Sequence, residues 1–290
     1  MMSNEIMIME STLYLVPTPI GNIRDITQRA LDILKHVSFI ASEDTRRTGI
    51  LLQQFTIKKQ LYSLHEFNER KKTDQLIEKL KQGNSIALVS DAGTPLISDP
   101  GYHLVHSCHK AKIRVIPLPG ACAIITALIA SGLPVNRFCY EGFLPIKPKN
   151  RKKILESLKK EKRTLIFYES THRVLDSISD IINIFGAKRY VVLARELTKI
   201  WETINGMTAE DLFLWIKEDE TRKRGEIVLI IEGYKELRND SHISINIINT
   251  LNLLQKDLTL QKALLITAKI YGIKKNILYN FIINNNKIIK

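Results

Sequence analysis

Four short segments set a carboxylate among cations and hydroxyls directly after an apolar run. They are Ser42-Glu43-Asp44-Thr45-Arg46-Arg47, His65-Glu66-Phe67-Asn68-Glu69-Arg70, Glu169-Ser170-Thr171-His172-Arg173 and Arg195-Glu196-Leu197-Thr198-Lys199. A carboxylate so placed can take a proton from a weak nucleophile, and arginine can grip a phosphate with two parallel donors. Each segment alone also reads as a structural ion pair or a helix cap. Four in equivalent places point to a site. A second kind of segment, Ser90-Asp91-Ala92-Gly93-Thr94-Pro95-Leu96-Ile97-Ser98-Asp99-Pro100-Gly101, follows the strand-like run Ser85 to Val89. Glycine there allows a ligand close to the backbone, and proline holds the loop in one shape. Pro17 to Asn22 and Pro117 to Cys122 share this character. Such loops suit a ligand with an amino-acid end and an aromatic end, with Ile97 covering the base.

Other chemistries find little support. There is no Walker loop, no GxGxxG fingerprint and no GxSxG elbow, so phosphate-cradled nucleotides, dinucleotides and serine hydrolysis are not indicated. His103, His106 and His109 share a helical spacing but lack the acid of an HExxH site, and no metal is expected. Cys108, Cys122 and Cys139 show neither metal spacing nor a paired framework, which suits a reducing cytosol. Met1 to Glu10 lacks the basic start of a secretory leader, and the apolar run Ala121 to Ala130 is half a membrane span. A cytoplasmic protein without a membrane partner is expected. The formal charge of +13 fits a polyanionic partner such as RNA, although a Lys-, Ile- and Asn-rich composition gives part of that charge a bland origin.

These groups must be positioned by elements, and the apolar pattern supplies them. Leu13 to Val16, Val37 to Ala41, Ser85 to Val89 and Ile113 to Ile116 read as strands alternating with helices near Thr27 to Lys35 and Asp74 to Lys81. That alternation predicts a parallel, helix-covered sheet over 1–135 whose strand ends gather the three loops. Further strands at Thr164 to Tyr168, Tyr190 to Ala194 and Glu226 to Ile231 predict a second α/β domain over 136–236, with a ligand cleft between the two. Lys147 to Lys153 reads as a basic loop. Over 237–290, a polar linker through Asp240 leads to helices Leu260 to Tyr271 and Ile277 to Ile283 around a turn at Gly272, a helix-turn-helix or a stabilising hairpin.

The order PTPIGN, SEDTRRT, HEFNE, SDAGTPLISDPG, LPGACA, FYESTHR, ARELTK and RGEIV resembles the ribosomal RNA small subunit methyltransferase I family of the tetrapyrrole methylase superfamily. The resemblance covers about residues 12–233 and extends to the helical tail. It implies two α/β domains of the tetrapyrrole methylase type and transfer of a methyl group from S-adenosylmethionine to a cytidine ribose 2′-hydroxyl. The implied target is the decoding region of 16S rRNA in the small ribosomal subunit, and the implied assembly is a homodimer. By motif, Pro19, Ile20, Ala92, Gly93, Thr94, Ile97, Cys122, Ala123, Tyr168, Ala194 and Ile227 would hold the cofactor. Asp44 and Glu169 are the carboxylates to test first as base, ahead of Glu66 and Glu196. Asp91 and Asp99, inside the cofactor loop, are less suited to that role. Arg46, Arg47, His172, Arg173, Arg195 and Lys199 would contact RNA. Thr171 stands where the family has proline, and Phe67 where histidine is common, which argues against a catalytic role at position 67. A small-molecule methylase of the tetrapyrrole kind and a non-catalytic RNA assembly factor are the rival readings.

Overall fold

The computed structural model describes residues 9–236 and 243–285, so the linker expected through Asp240 lies largely outside the described residues. The chain forms two compact units, 1–234 and 235–290.

The first half of the larger unit is built on a parallel sheet of β1 (Thr12–Leu15), β2 (Phe39–Ser42), β3 (Leu61–Ser63), β4 (Ile86–Val89) and β5 (Arg114–Pro117). Their spatial order is β3-β2-β4-β1-β5. The connecting helices are α1 (Gln28–His36), α2 (Thr45–Gln54), α3 (Glu69–Lys81) and α4 (Tyr102–Lys110), and α5 (Ala123–Ala130) follows β5. The central strands are apolar throughout because alternate residues feed two different cores. Leu13, Ala41, Leu88 and Ile86 pack with α3 and α4, whereas Tyr14, Ile40, Ala87 and Val89 pack with α1 and α2. The helix expected from Asp74 starts earlier, at Glu69, because Asn68 and His65 form the turn that launches it.

The second half carries β6 (Phe138–Phe143), β7 (Thr164–Glu169), β8 (Tyr190–Arg195), β9 (Thr203–Thr208) and β10 (Ile227–Ile231), with α6 (Pro148–Leu158), α7 (Val174–Phe185) and α8 (Ala209–Glu218). The order is β6-β7-β10-β8-β9, and only β6 and β7 run parallel. One face of this sheet is covered by α6, α7 and α8. The other face presents Ile166, Val192, Ala194, Val228 and Ile230 to Ile20 and to Ile124, Ala127 and Leu128 of α5. That shared core joins the halves and fixes the space between them. The expected basic loop at Lys147 to Lys153 is instead the start of α6, entered through Pro148. Its Arg151 is buried and donates from Nε to Asp180 Oδ2 at 2.7 Å, tying α6 to α7, while Lys147, Lys149, Lys152 and Lys153 of the same segment are exposed.

Among its described residues the smaller unit has three helices, α9 (Ile245–Leu254), α10 (Leu260–Tyr271) and α11 (Lys275–Asn285). Leu251, Ala263, Leu264, Ala268 and Leu278 form its core. Helix α10 spans the expected residues and stops at Gly272, in the left-handed conformation (φ 64°), where the Ile273 N–H returns to the Ala268 carbonyl.

Candidate active site

The three small-residue loops meet at the carboxyl edge of the first sheet because β4, β1 and β5 are neighbours there. They are stitched to one another by backbone. Thr18 and Gly93 exchange both N–H···O bonds at 2.9 Å, the Thr18 hydroxyl donates to the Ser90 carbonyl at 3.2 Å, and the Thr94 hydroxyl donates to the Ala121 carbonyl at 2.9 Å. The third loop touches the first so closely that a Cβ on Gly120 would lie 2.5 Å from Pro17 Cβ. The second half closes on this cradle from β8. The Asn22 N–H donates to Thr198 Oγ1 at 3.0 Å, and a Cβ on Gly21 would fall 2.5 Å from Lys199 Cγ. Ser98 Oγ and Tyr140 Oη lie 2.6 Å apart and link the second loop to β6.

Between these walls lies a cavity of about 390 Å³, lined by residues that include Ile20, Ala92, Gly93, Thr94, Ile97, Asp99, Cys122, Ala123, Tyr168, Glu169, His172, Leu197, Glu226 and Ile227. That size falls within the roughly 300–1,000 Å³ of small-molecule sites. Two apolar lining residues are held on strained backbone. Ile97 sits between Leu96 (φ 73°) and Ser98 (φ 64°), and Leu197 sits between Glu196 (φ 50°) and Thr198 (φ 66°). Non-glycine residues in the left-handed region cost free energy that the surrounding bonds must offset, and such strain gathers at ligand sites.

The electrostatics of the lining are one-sided. It holds the carboxylates of Asp99, Glu169 and Glu226 and no lysine or arginine. Glu169 is paired with Arg173 and Glu226 with Lys199, so Asp99 is the lining carboxylate with no ion pair among the described residues and the one that favours a ligand with positive charge. Asp99 is pushed up to about 6, chiefly by burial and secondarily by the nearby carboxylates of Glu43 and Asp91, while a Ser90 hydrogen bond partly offsets the rise. Burial raises the Tyr168 hydroxyl as well, beside Tyr140 and Phe143 in edge-on and tilted ring contacts.

The expected cofactor residues converge with two exceptions. Pro19 and Ala194 stand behind the lining, Ala194 wholly buried in the core shared by the halves. The two expected bases do not stand free. Asp44 lies outside the cavity as the cap of α2, accepting from the Arg46 N–H at 2.9 Å and from the Arg46 guanidinium at 3.1 and 2.8 Å. That pairing holds its carboxyl down at about 2 and occupies both of its oxygens with Arg46. Glu169 touches the cavity, but its side chain is fully buried and accepts from the Ser170 N–H at 2.7 Å, from Arg173 at 3.2 Å and from the Ser177 hydroxyl. It anchors the start of α7.

The expected RNA contacts divide in the same way. Arg195 is spent on the Thr221 and Arg224 carbonyls, Lys199 on Glu196 and Glu226, and Arg173 on Glu169. Arg46 and Arg47 point outward with side chains 87 % and 71 % exposed, Arg47 held at 3.2 Å from Asp91. His172 is exposed at the mouth of the cavity and makes no hydrogen bond among the described residues. Asp99 is the lining group that sequence reasoning set aside, since membership of a loop does not reveal which of its two aspartates lines the cavity. Glu226 was within reach, because it lies in the quoted RGEIV segment.

The family of Tetrapyrrole (Corrin/Porphyrin) Methylases matches residues 12–212. This chain belongs to that family. Within it, the chain is 58 % identical over 94 % of its length, and 94 % of the relative's, to ribosomal RNA small subunit methyltransferase I of Escherichia coli O157:H7. The corresponding protein of Haemophilus influenzae is 57 % identical, covering 93 % of this chain and 95 % of that one. Two solved structures share the fold of this chain. They are diphthine synthase (TM-score 0.58, 16 % identity, 76 % of this chain and 90 % of that one) and the uroporphyrin-III-C-methyltransferase from Thermus thermophilus (TM-score 0.55, 19 % identity, 77 % and 94 %). The family's methyl donor is S-adenosylmethionine, and it is this chain's cofactor. The cavity fits such a group. The carboxylate of Asp99 suits a cationic sulfonium, the small loop residues leave backbone open to an amino-acid end, and Ile20, Ile97 and Val228 offer apolar cover for a base.

Proposed function

We propose that this protein methylates the 2′-hydroxyl of a cytidine ribose in the decoding region of 16S rRNA, acting in the cytoplasm on the small ribosomal subunit and as a homodimer. The observation that carries this reading is identity above 55 % to two relatives named ribosomal RNA small subunit methyltransferase I, over 94 % and 93 % of this chain. The net charge of +13 agrees with a polyanionic substrate, and an anionic lining beside exposed arginines separates cofactor from RNA.

When bound, S-adenosylmethionine supplies an electrophilic methyl group on a sulfonium. The chain's part is placement. Ala92, Gly93, Thr94, Cys122 and Ala123 present backbone and small side chains to the cofactor, and Ile20, Ile97, Tyr168 and Ile227 exclude water from it. Asp99, on the cavity wall, would attract its positive charge. His172 at the mouth is the group free to touch the incoming ribose or to accept its proton, and Arg46 and Arg47 are placed to hold phosphates. Fixing the hydroxyl in line with the methyl group can supply much of the rate without strong chemistry from the protein.

The direct test incubates the full chain with labelled S-adenosylmethionine and small subunits lacking the modification, then maps ribose methylation. Label on one decoding-region cytidine is the expected result. Label on a small molecule, or none on the subunit, would sink this reading.

A further inference from the structure

The carboxyl edge of the first sheet extends past the cavity. Strands β4, β2 and β3 are successive neighbours and parallel, so the segments that follow them emerge side by side. After β2 come Arg46 and Arg47, after β3 comes Phe67, and after the loop of β4 comes Tyr102. Phe67 is 95 % exposed and Tyr102 64 % exposed. Isolated surface aromatics are ordinary. These two differ in how they are held.

Phe67 sits in a turn pinned on both sides. The His65 N–H donates to Asn68 Oδ1 at 2.9 Å, Asn68 Nδ2 donates to the Ser63 carbonyl at 3.3 Å, and the Asn68 and Glu69 N–H groups both return to the His65 carbonyl at 2.9 Å. The buried carboxylate of Glu69 then accepts from the N–H groups of Gly101, His103 and Leu104, at 3.1, 2.7 and 3.2 Å. One side chain therefore locks the turn that carries Phe67 to the helix start that carries Tyr102. Tyr102 is itself stacked on His106 at 5.9 Å. Arg70 and Lys71, next to Phe67, are exposed and make no ion pair among the described residues. The fold thus presents two exposed aromatic rings on hydrogen-bonded backbone, with the cations Arg46, Arg47, Arg70 and Lys71 and the acid Glu66 in the same segments, a combination that can take the bases and phosphates of an unpaired nucleic-acid strand.

We propose that Phe67 and Tyr102 form a platform on which unpaired bases of the substrate RNA stack while the neighbouring arginines hold its backbone. The platform sets where the strand lies relative to the cavity. It rests on RNA being the substrate, and it specifies which face of the chain the RNA crosses.

The test compares the full-length wild type with Phe67→Ala, Phe67→Tyr and Tyr102→Ala in methylation of small subunits, with cofactor affinity measured separately by calorimetry. Phe67→Ala should raise KM for subunits about 5- to 150-fold, the range of one lost base stack. Phe67→Tyr should restore KM to near wild type, and cofactor affinity should stay within twofold in all variants. A KM unchanged in both alanine variants, while the wild type methylates subunits, overturns the platform and leaves the RNA reading standing. A wild type that labels no subunit RNA overturns that reading, and the platform with it. A photoreactive phenylalanine analogue at position 67 gives an independent readout: cross-links to rRNA support the platform, and cross-links only to ribosomal protein overturn it.

Discussion

Asp99 shows how burial assigns a role that residue type alone does not. Two aspartates lie in the same loop, but Asp91 is turned to the first half, accepting the Asp44 N–H at 3.0 Å and pairing with Arg47, while Asp99 lines the cavity. Desolvation raises its carboxyl to about 6, so at pH 5 it is mostly neutral and at pH 7.5 mostly charged. Affinity for S-adenosylmethionine should therefore rise between those pH values, and in Asp99→Asn it should be weaker and nearly flat, as calorimetry at several pH values would reveal. Stability should move the opposite way. A carboxyl raised above its unfolded value stabilises the fold most below about 3.8 and loses that contribution as pH climbs through about 6. The melting temperature of Asp99→Asn should then exceed the wild type's by more at pH 7.5 than at pH 5. Glu169 is the contrasting carboxylate. Glu169→Ala strands Arg173 and Ser177 without their buried partner and should cost about 3–5 kcal/mol in a urea titration. Glu169→Gln keeps an acceptor for the Ser170 N–H and should retain turnover within a few-fold. A hundredfold loss of turnover at unchanged melting would restore it as a base.

At the scale of elements, the cofactor cradle depends on loops approaching closer than side chains allow. Gly120 is the sharpest case because its would-be Cβ meets the rigid ring of Pro17, at 2.5 and 2.9 Å from Cβ and Cγ, with no flexible tip to move aside. Gly120→Ala should push the third loop away from the first, carrying Cys122 and Ala123 with it. We expect cofactor affinity to fall at least about tenfold, since angstrom-scale misplacement in a site can cost about a hundredfold, while the melting temperature drops by only a few degrees. Glu69 supports the same cradle from outside, because its three acceptor bonds fix Gly101, where the cofactor loop ends. Hydrogen bonds to a charged group contribute about 1.5–3 kcal/mol each before non-additivity, so Glu69→Ala should lower stability by about 2–4 kcal/mol in a denaturant titration and loosen the loop. These braces explain why so many charged groups in strand-end segments are structural. The clusters were visible in the sequence as one population. Geometry divides them into caps (Asp44, Glu69), locks (Glu196 with Lys199, Arg195 with two carbonyls) and a small remainder facing ligand.

For the whole molecule, what the sequence made legible follows from burial. The parallel sheet was readable because β1, β2 and β4 are apolar on both faces, and the three loops were readable because glycine and proline punctuate them. Strand β9 was not readable. Thr203 to Thr208 is half-buried at a sheet edge and carries Gly206, so neither alternation nor a continuous apolar run marks it. Helix α9 escaped for a related reason, since Asn246, Asn249 and Asn252 interrupt its apolar spacing and only Leu251 is fully buried. Residues 235–290 form their own compact unit with its own core, and every core cluster of the α/β unit is made of residues before Tyr234. A chain ended after Tyr234 should therefore keep its melting behaviour and its affinity for S-adenosylmethionine. The tail also holds Lys256, Lys262, Lys269, Lys274 and Lys275 against the single acid Asp257 among residues 243–285. Each lysine that neutralises a phosphate adds about 0.7–0.9 to the slope of log affinity against log salt. If the tail lies on RNA, the shortened chain should bind small subunits more weakly at 50 mM salt and with a shallower slope, and the two chains should converge as salt rises. Equal slopes for the two chains would make the tail a passenger in RNA binding and confine the footprint to the face that carries Arg46, Arg47 and Phe67.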